Sequence, residues 1–274
     1  MAKADNEKAV VEASSNAVAV LDFGADAGAG MEGASQESFA IPFLGVLQKG
    51  SPQVDEASGQ SIEGAKAGML FENVTSQMFD GKKGVVLVPC AYRRVFLRWG
   101  QREGGGGGFK GELSADQVAE MRAKGQIVEL DGRLYIPLPD GTVHEKKCDR
   151  IADTRNHYVL LVDEETGGWT QALFSLTSTQ IKKSKMLMSA LASVKLKGGS
   201  GMYTPPTFAN FVRATTLPES NDKGTWYGVK FELAGSVNRA EVYAAAKAFH
   251  ASVASGSVEA KYEAPAEAPA TAGF

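Results

Sequence analysis

The chain has 274 residues, 43% of them hydrophobic and 22% charged, enough for one large domain or two small ones around a real core. Two cysteines, Cys90 and Cys148, are too few for a disulfide scaffold, and no stretch approaches the roughly 18 apolar residues of a membrane span. The net charge of −3 conceals an asymmetry, with −5 over residues 1–40, −3 over 41–80, +7 over 81–213 and −2 over 214–274, and such an asymmetry between segments points to nucleic-acid or membrane contact.

In chain order, the opening MAKADNEKAVVEASSNAVAVLDF has no compact apolar run behind a basic region. The expectation is therefore no signal peptide, a cytoplasmic protein and two unpaired thiols. Residues 1–38, rich in Ala, Gly, Ser and acids without a sustained period, are expected to be a disordered acidic tail. One β-rich domain is expected over 39–254, with 39–80 either joining it or forming a subdomain. The run GVVLVPCAYRRVFLRW (84–99) starts apolar and then alternates. It puts Tyr92, Arg94, Phe96 and Arg98 on one pleat face and Val95, Leu97 and Trp99 on the other.

The glycines Gly104–Gly108 lack the Gly-Lys-Ser/Thr ending of a phosphate loop and the spaced glycines of a dinucleotide turn, so they read as a mobile loop. SADQVAEMRAKG reads as a helix with Ser114 as N-cap, Gln117 reaching back to it, and Gly125 at the C-terminus. QIVEL-DG-RLYIPL (126–138) is a hairpin, with Asp131-Gly132 supplying the positive φ angles of a two-residue turn. HYVLLVD and WTQALFSL pair across EETGG, and TFANFVRATTL and TWYGVKFELAG pair across SNDKG.

Two further helices are expected. Residues 178–198 place Ile181, Ser184, Leu187, Met188, Leu191 and Val194 on one side and Lys182, Lys185 and Met186 on another. Residues 238–254 carry the stripe Val242, Ala246, Phe249 and Val253. The stretch GSVEAKYEAPAEAPATAGF should be extended, so 255–274 is expected to be a disordered tail. Short strands, hairpin turns and peripheral helices predict a mainly β fold, a barrel or sandwich.

Catalytic and metal readings find little support. His144 and Cys148 stand four apart with Cys90 far upstream, whereas structural zinc wants four close-set ligands. No Gly-x-Ser-x-Gly elbow occurs, and Asp163, Glu164 and Glu165 fall in a hairpin turn where solvated carboxylates are ordinary. No catalytic residue, metal or cofactor is expected.

The basic clusters carry more. Arg93, Arg94 and Arg98 interleave with Tyr92, Phe96 and Trp99 on one strand. A second cluster is Lys146, Lys147, Arg150 and Arg155, with His157 and Tyr158 beyond; a third is Lys182, Lys183, Lys185, Lys195 and Lys197. Single-strand binders combine cations that track the backbone with aromatic faces on which bases stack. Phosphate contacts are accordingly expected from Arg93, Arg94, Arg98, Lys146, Lys147, Lys182, Lys183 and Lys185. Stacking is expected from Tyr92, Phe96, Trp99 and Tyr158, with Trp99 also a core candidate. An acidic flexible tail can compete with nucleic acid for a basic groove, and terminal Phe274 with its carboxylate is a compact docking plug for partners.

The stretch GAGMEGASQESFAIPFLGVLQKGSPQVDE, followed by IEGAKAGMLFENVT, resembles a family of tailed-bacteriophage early proteins that open with Gly-x-Gly-hydrophobic-Glu, then Ile-Pro-Phe-Leu, Leu-Gln and Ser-Pro. TRNHYVLLVDEETGGWTQALFSLTSTQIKKSKML is similar to phage single-stranded-DNA-binding proteins. Over about residues 28–235 the resemblance implies an OB-like barrel of five strands, a basic aromatic face, an acidic tail ending in Phe, and the cytoplasm of a bacterial host. The tail departs from that pattern, because its acids are dispersed and Ala-Gly precedes Phe274.

The expected function is non-catalytic binding of single-stranded DNA, or RNA, in phage replication or recombination. Replication or recombination proteins are expected partners through the tail, homo-oligomerisation is left open, and no membrane contact is expected. The alternatives are a factor that binds or inhibits a host enzyme, and a virion component.

Overall fold

The computed structural model describes residues 26, 28–34, 38–101, 103, 107–222, 224–258, 260 and 262. The expected tail 1–38 falls largely outside these residues, as do Gly104–Gly106 and residues 263–274, Phe274 included. The chain is mainly β. Its strands are β1 (Phe43–Val46), β2 (Leu70–Glu72), β3 (Met78–Phe79), β4 (Val85–Gly100), β5 (Gly108–Leu113), β6 (Val128–Leu130), β7 (Arg133–Tyr135), β8 (Arg150–Val162), β9 (Trp169–Thr177), β10 (Leu196–Gly198), β11 (Gly201–Tyr203), β12 (Asn210–Asn221) and β13 (Gly224–Ser236). The helices are α1 (Ala115–Ala123), α2 (Ile181–Ser193) and α3 (Ala240–Ala254).

Eleven strands form one sheet in the order β13-β12-β4-β8-β9-β1-β2-β3, with β5 and β7 added at the far halves of β4 and β8 and β6 beyond β7. The long hairpins β8–β9 and β12–β13 are those expected from their turn residues, and the β6–β7 turn has positive φ at Asp131 and Gly132. The sheet curls into a half-barrel. Its ends meet where Gln48 donates to the Tyr227 carbonyl at 2.9 Å and accepts from the Tyr227 N–H at 2.8 Å. Thr216 closes the same seam through the carbonyls of Gly68 and Gly81. A Cβ on Gly81 would lie 1.9 Å from the Gly68 carbonyl oxygen, so this approach requires glycine.

Alternation divides the core. On the concave face, Leu87, Val159, Leu161, Phe174 and Val212 pack with Leu187 and Leu191 of α2. On the convex face, Val86, Val88, Tyr158 and Leu160 pack under α3 through Val242, Ala246, Phe249 and Val253, the stripe read from the sequence. A third cluster joins Phe96 and Ile151 to Val118 of α1. The expected reciprocal cap holds α1: Ser114 Oγ accepts from the Gln117 N–H at 3.1 Å while Gln117 accepts from the Ser114 N–H at 2.7 Å.

Three expectations change. The helix expected to run to 198 ends at Ser193; Val194 is extended and Leu196–Gly198 turns back through glycine onto β11. The five strands implied by the resemblance are exceeded, because β1, β2, β3 and β5 join the sheet from segments too short or too glycine-rich to show alternation. The tail boundary at 255 also moves. Val258 is buried under α3, and the Tyr262 ring packs 5.5 Å from Phe43 and 5.2 Å from Phe109. Tyr262 additionally accepts a hydrogen bond from Asn156, and burial pushes its phenol up to about 12.

Candidate nucleic-acid interface

A one-residue bulge decides which side chains share the concave face of β4. Pro89 pairs with Val159 but Ala91 pairs with Tyr158, leaving Cys90 as the extra residue. The bulge reverses the alternation of β4, so Tyr92, Arg94, Phe96 and Arg98 join Leu87 on the concave face instead of Val88 on the convex one. Their cross-strand partners on β8 are His157, Arg155, Asp153 and Ile151.

Both ends of this row are covered by helices. At one end His157 is 2.7 Å from Ser184 of α2, and at the other Phe96 and Ile151 lie under α1. Between them is a polar floor of Tyr92, Arg94, Asp153 and Arg155. Arg94 makes a two-point ion pair with Asp153, at 2.8 and 3.2 Å, and its guanidinium sits 4.9 Å above the Phe96 ring. Arg155, with only 10% of its side chain exposed, donates to Asp153 and to the Tyr92 hydroxyl, both at 3.0 Å, while its Nε has no partner among the described residues. Farther along β4, Asp149 receives Arg98 at 2.5 Å and Lys110 of β5 at 2.8 Å. Burial pushes the Asp149 carboxyl up, but hydrogen bonds from Lys110 and Arg98 outweigh it and hold it below the usual carboxylate range.

Four cations (Arg94, Arg98, Lys110, Arg155) thus face two carboxylates (Asp149, Asp153), leaving an excess of positive charge. Each carboxylate orients its guanidinium for planar contact, the geometry a phosphate oxygen also uses. The Tyr92 ring, 37% exposed, is steadied by Arg155 at its hydroxyl and by His157 at 5.2 Å.

Of the expected stacking residues, only Tyr92 presents an exposed ring here. Phe96 is 5% exposed because it forms the floor of the α1 cluster. Tyr158 is 2% exposed because its odd-to-even step on β8 turns it under α3, against Phe249. Trp99 lies on the convex side of β4, half-buried and edge-on to Phe109 at 5.6 Å. Neither Phe96 nor Tyr158 can receive a base without repacking.

Arg93 is likewise on the convex side, where it donates to the Val253 carbonyl and lies over the Tyr158 ring. Arg94 and Arg98 occupy the expected face. Lys146 and Lys147 are exposed in the turn before Asp149, and Lys182 and Lys185 are exposed on α2, whereas Lys183 is paired with Glu219 at 2.5 Å. Arg155 and Lys110 complete the row. Arg155 belongs to the second basic cluster read from the sequence, but its place in this row follows only from the register of β8 beside Arg94, and Lys110 lies in a glycine-rich strand with no alternation to expose it.

Among the described residues no three His, Cys, Asp or Glu side chains converge as metal ligands, and no helix is long and apolar enough to cross a membrane. Cys90 is buried at the bulge, which pushes its thiol up to about 12.

No curated protein and no solved structure matches the chain. A family model does match, over residues 8–259, nearly the full length. The chain belongs to the Pam3 phage gp34-like protein family, a phage protein family.

Proposed function

We propose that this phage protein binds single-stranded nucleic acid, DNA in the first instance, in replication or recombination and without chemistry of its own. The observation that carries the reading is the floor between α1 and α2, where the exposed ring of Tyr92 stands beside Arg94 and the buried, partly unpartnered Arg155. An aromatic plane gives a sequence-tolerant base stack of about 1–3 kcal/mol, and adjacent guanidinia match phosphate. Lys110, Arg98 and the exposed Lys146 and Lys147 extend the positive charge along the same strand pair. Acids of the C-terminal segment, Glu259, Glu263 and Glu267, would compete for it.

The test is anisotropy of a labelled oligo-dT titrated with wild type and with Arg94→Ala. Binding by the wild type, weakened about five- to tenfold in the variant, supports the reading; equal affinity of the two removes this floor as the interface.

A second reading, a protein-interaction factor, is favoured by one separate feature. The small β10–β11 hairpin stands outside the main sheet and exposes Met202 and Tyr203. Oligo-dT titration distinguishes it, since this reading requires no nucleic-acid binding.

A further inference from the structure

The β10–β11 hairpin is a ribbon of two three-residue strands that stands off the main sheet, after α2 and before β12 in the chain. Gly198 pairs with Gly201 at its turn, and Pro205 and Pro206, which cannot donate to a ladder, stop it at the other end. Alternation gives the ribbon two different faces. Leu196, Gly198 and Tyr203 share one, while Lys197 and its cross-strand partner Met202 share the other with Lys195.

The aromatic face has a defined backing. The Tyr203 ring lies against Gly198, where an added Cβ would stand 3.2 and 3.3 Å from two ring carbons, so the bare backbone of glycine lets the ring settle on it. With that side covered, Tyr203 is still 49% exposed and its neighbour Met202 65%. Among the described residues no other aromatic ring and no guanidinium lies over Tyr203.

The charge around the ribbon is one-sided. Between Glu165 and Glu219 the chain has six Lys and Arg residues and no Asp or Glu. Carboxylates at the borders of this run take two of them, Glu164 pairing with Arg213 and Glu219 with Lys183. Lys182, Lys185, Lys195 and Lys197 are exposed and make no ion pair among the described residues. Lys195 is held at the base of the ribbon by two neutral acceptors, the Ala192 carbonyl at 3.2 Å and the Thr204 hydroxyl, so its charge stays uncompensated. Met202 and Tyr203 alone would suit a protein as well as a base; unpaired ammonium groups in an acid-free stretch select an anionic partner.

A ring on one face and cations on the other also select the form of that polyanion. Duplex keeps its bases stacked and stays stiff over about 50 nm, so it does not set a base on one side of a narrow ribbon and its phosphates on the other. A single strand has bases free to stack on a side chain and a backbone that turns between nucleotides.

We propose that the β10–β11 hairpin is an arm for single-stranded nucleic acid, in which one unpaired base stacks on the outer face of Tyr203 while the strand turns over the ribbon edge to set its phosphates against Lys195 and Lys197. The inference rests on the reading of the protein as a single-strand binder. It adds a contact separate from the concave floor and assigns to nucleic acid the exposed side chains that would otherwise favour a protein partner.

The experiment uses the full chain with labelled oligo-dT for affinity, and oligo-dT carrying 5-iodouracil for photocrosslinking. After irradiation and trypsin digestion, the wild type should carry a crosslink on the peptide from Gly198 to Arg213, which holds Tyr203. Tyr203→Leu should lose that crosslink and about tenfold in affinity, and Lys197→Gln should lower the salt slope by about 0.7. Neither side chain belongs to the three core clusters, so both variants should melt with the wild type. Equal affinity of wild type and Tyr203→Leu for oligo-dT, or crosslinks confined to other peptides, overturns the arm and leaves the concave floor as the interface. No binding of oligo-dT by the wild type overturns the underlying reading and the arm with it.

Discussion

Arg155 and Tyr92 form one unit across two strands: the guanidinium, nine-tenths buried, donates to the phenolic oxygen at 3.0 Å and holds the ring in the concave floor. Arg155 already has an Nε without a partner among the described residues, so the phenol is one of its few hydrogen-bond acceptors. Tyr92→Phe keeps the ring but leaves a second guanidinium N–H unpaired. It should cost about 1 kcal/mol in urea unfolding, the low end for an unsatisfied donor because the site is part-exposed, with little change in oligo-dT affinity. Tyr92→Ala should lower both stability and affinity. Equal affinity of Tyr92→Ala and wild type would mean that the ring receives no base.

Arg94 and Phe96, neighbours on one face, should respond in opposite ways. Phe96 underlies α1, and Phe96→Ala opens a cavity in a cluster of only four fully buried residues; a loss of about 3 kcal/mol or more is expected. Arg94 is 44% exposed in its side chain, and Arg94→Ala should change stability by less than about 1 kcal/mol while weakening nucleic-acid binding. Thermal melts of the two single variants check the separation. A double variant would confuse unfolding with lost contact.

His157 sets a pH window for stability. Burial, and then the neighbouring Arg155 charge, lower its pKa from 6.5 to about 4, so the folded protein keeps it neutral. Because the unfolded chain takes up this proton first, the contribution is fully present above about pH 6.5 and is lost as pH falls through the window to about 4, at most roughly 3 kcal/mol. Asp149 and Glu219, held below their ordinary values, lose their contributions at the acid end of that range and beneath it. Urea unfolding at pH 7.5, 5.5 and 4.5 should show the decline in wild type and a flatter profile in His157→Asn down to about pH 5; parallel profiles would assign the decline elsewhere.

The segment after α3 is part of the fold. Ending the chain after residue 254 removes Val258 from the α3 cluster and Tyr262 from Phe43, Phe109 and Asn156. Such a truncation should lower the melting temperature by several degrees, whereas ending it after 262 should leave the melt within about one degree. Equal melts for the two would show that the docked tyrosine contributes nothing.

Much of this was legible in the sequence, for identifiable reasons. The apolar stripe of α3 and the paired hairpins rest on local periodicity and turn chemistry and appear as read, as does the α2 stripe up to Leu191, Val194 falling beyond the helix end. Tyr92, Arg94 and Arg98 share a face because alternation within one strand survives whatever lies before it. Which face that is depends on the bulge at Cys90; the signal for it is Pro89, which cannot donate to a ladder and inside a strand paired on both sides belongs at a bulge. Burial of Phe96 and Tyr158 depends on helices arriving from elsewhere in the chain.

The most direct test of the central claim is binding of oligo-dT and of duplex of equal length at two salt concentrations, such as 50 and 200 mM. The protein should bind the single strand in preference to duplex, with affinity falling steeply with salt at about 0.7 per neutralised phosphate in the logarithmic slope. Absence of binding to oligo-dT at low salt and micromolar protein would contradict it.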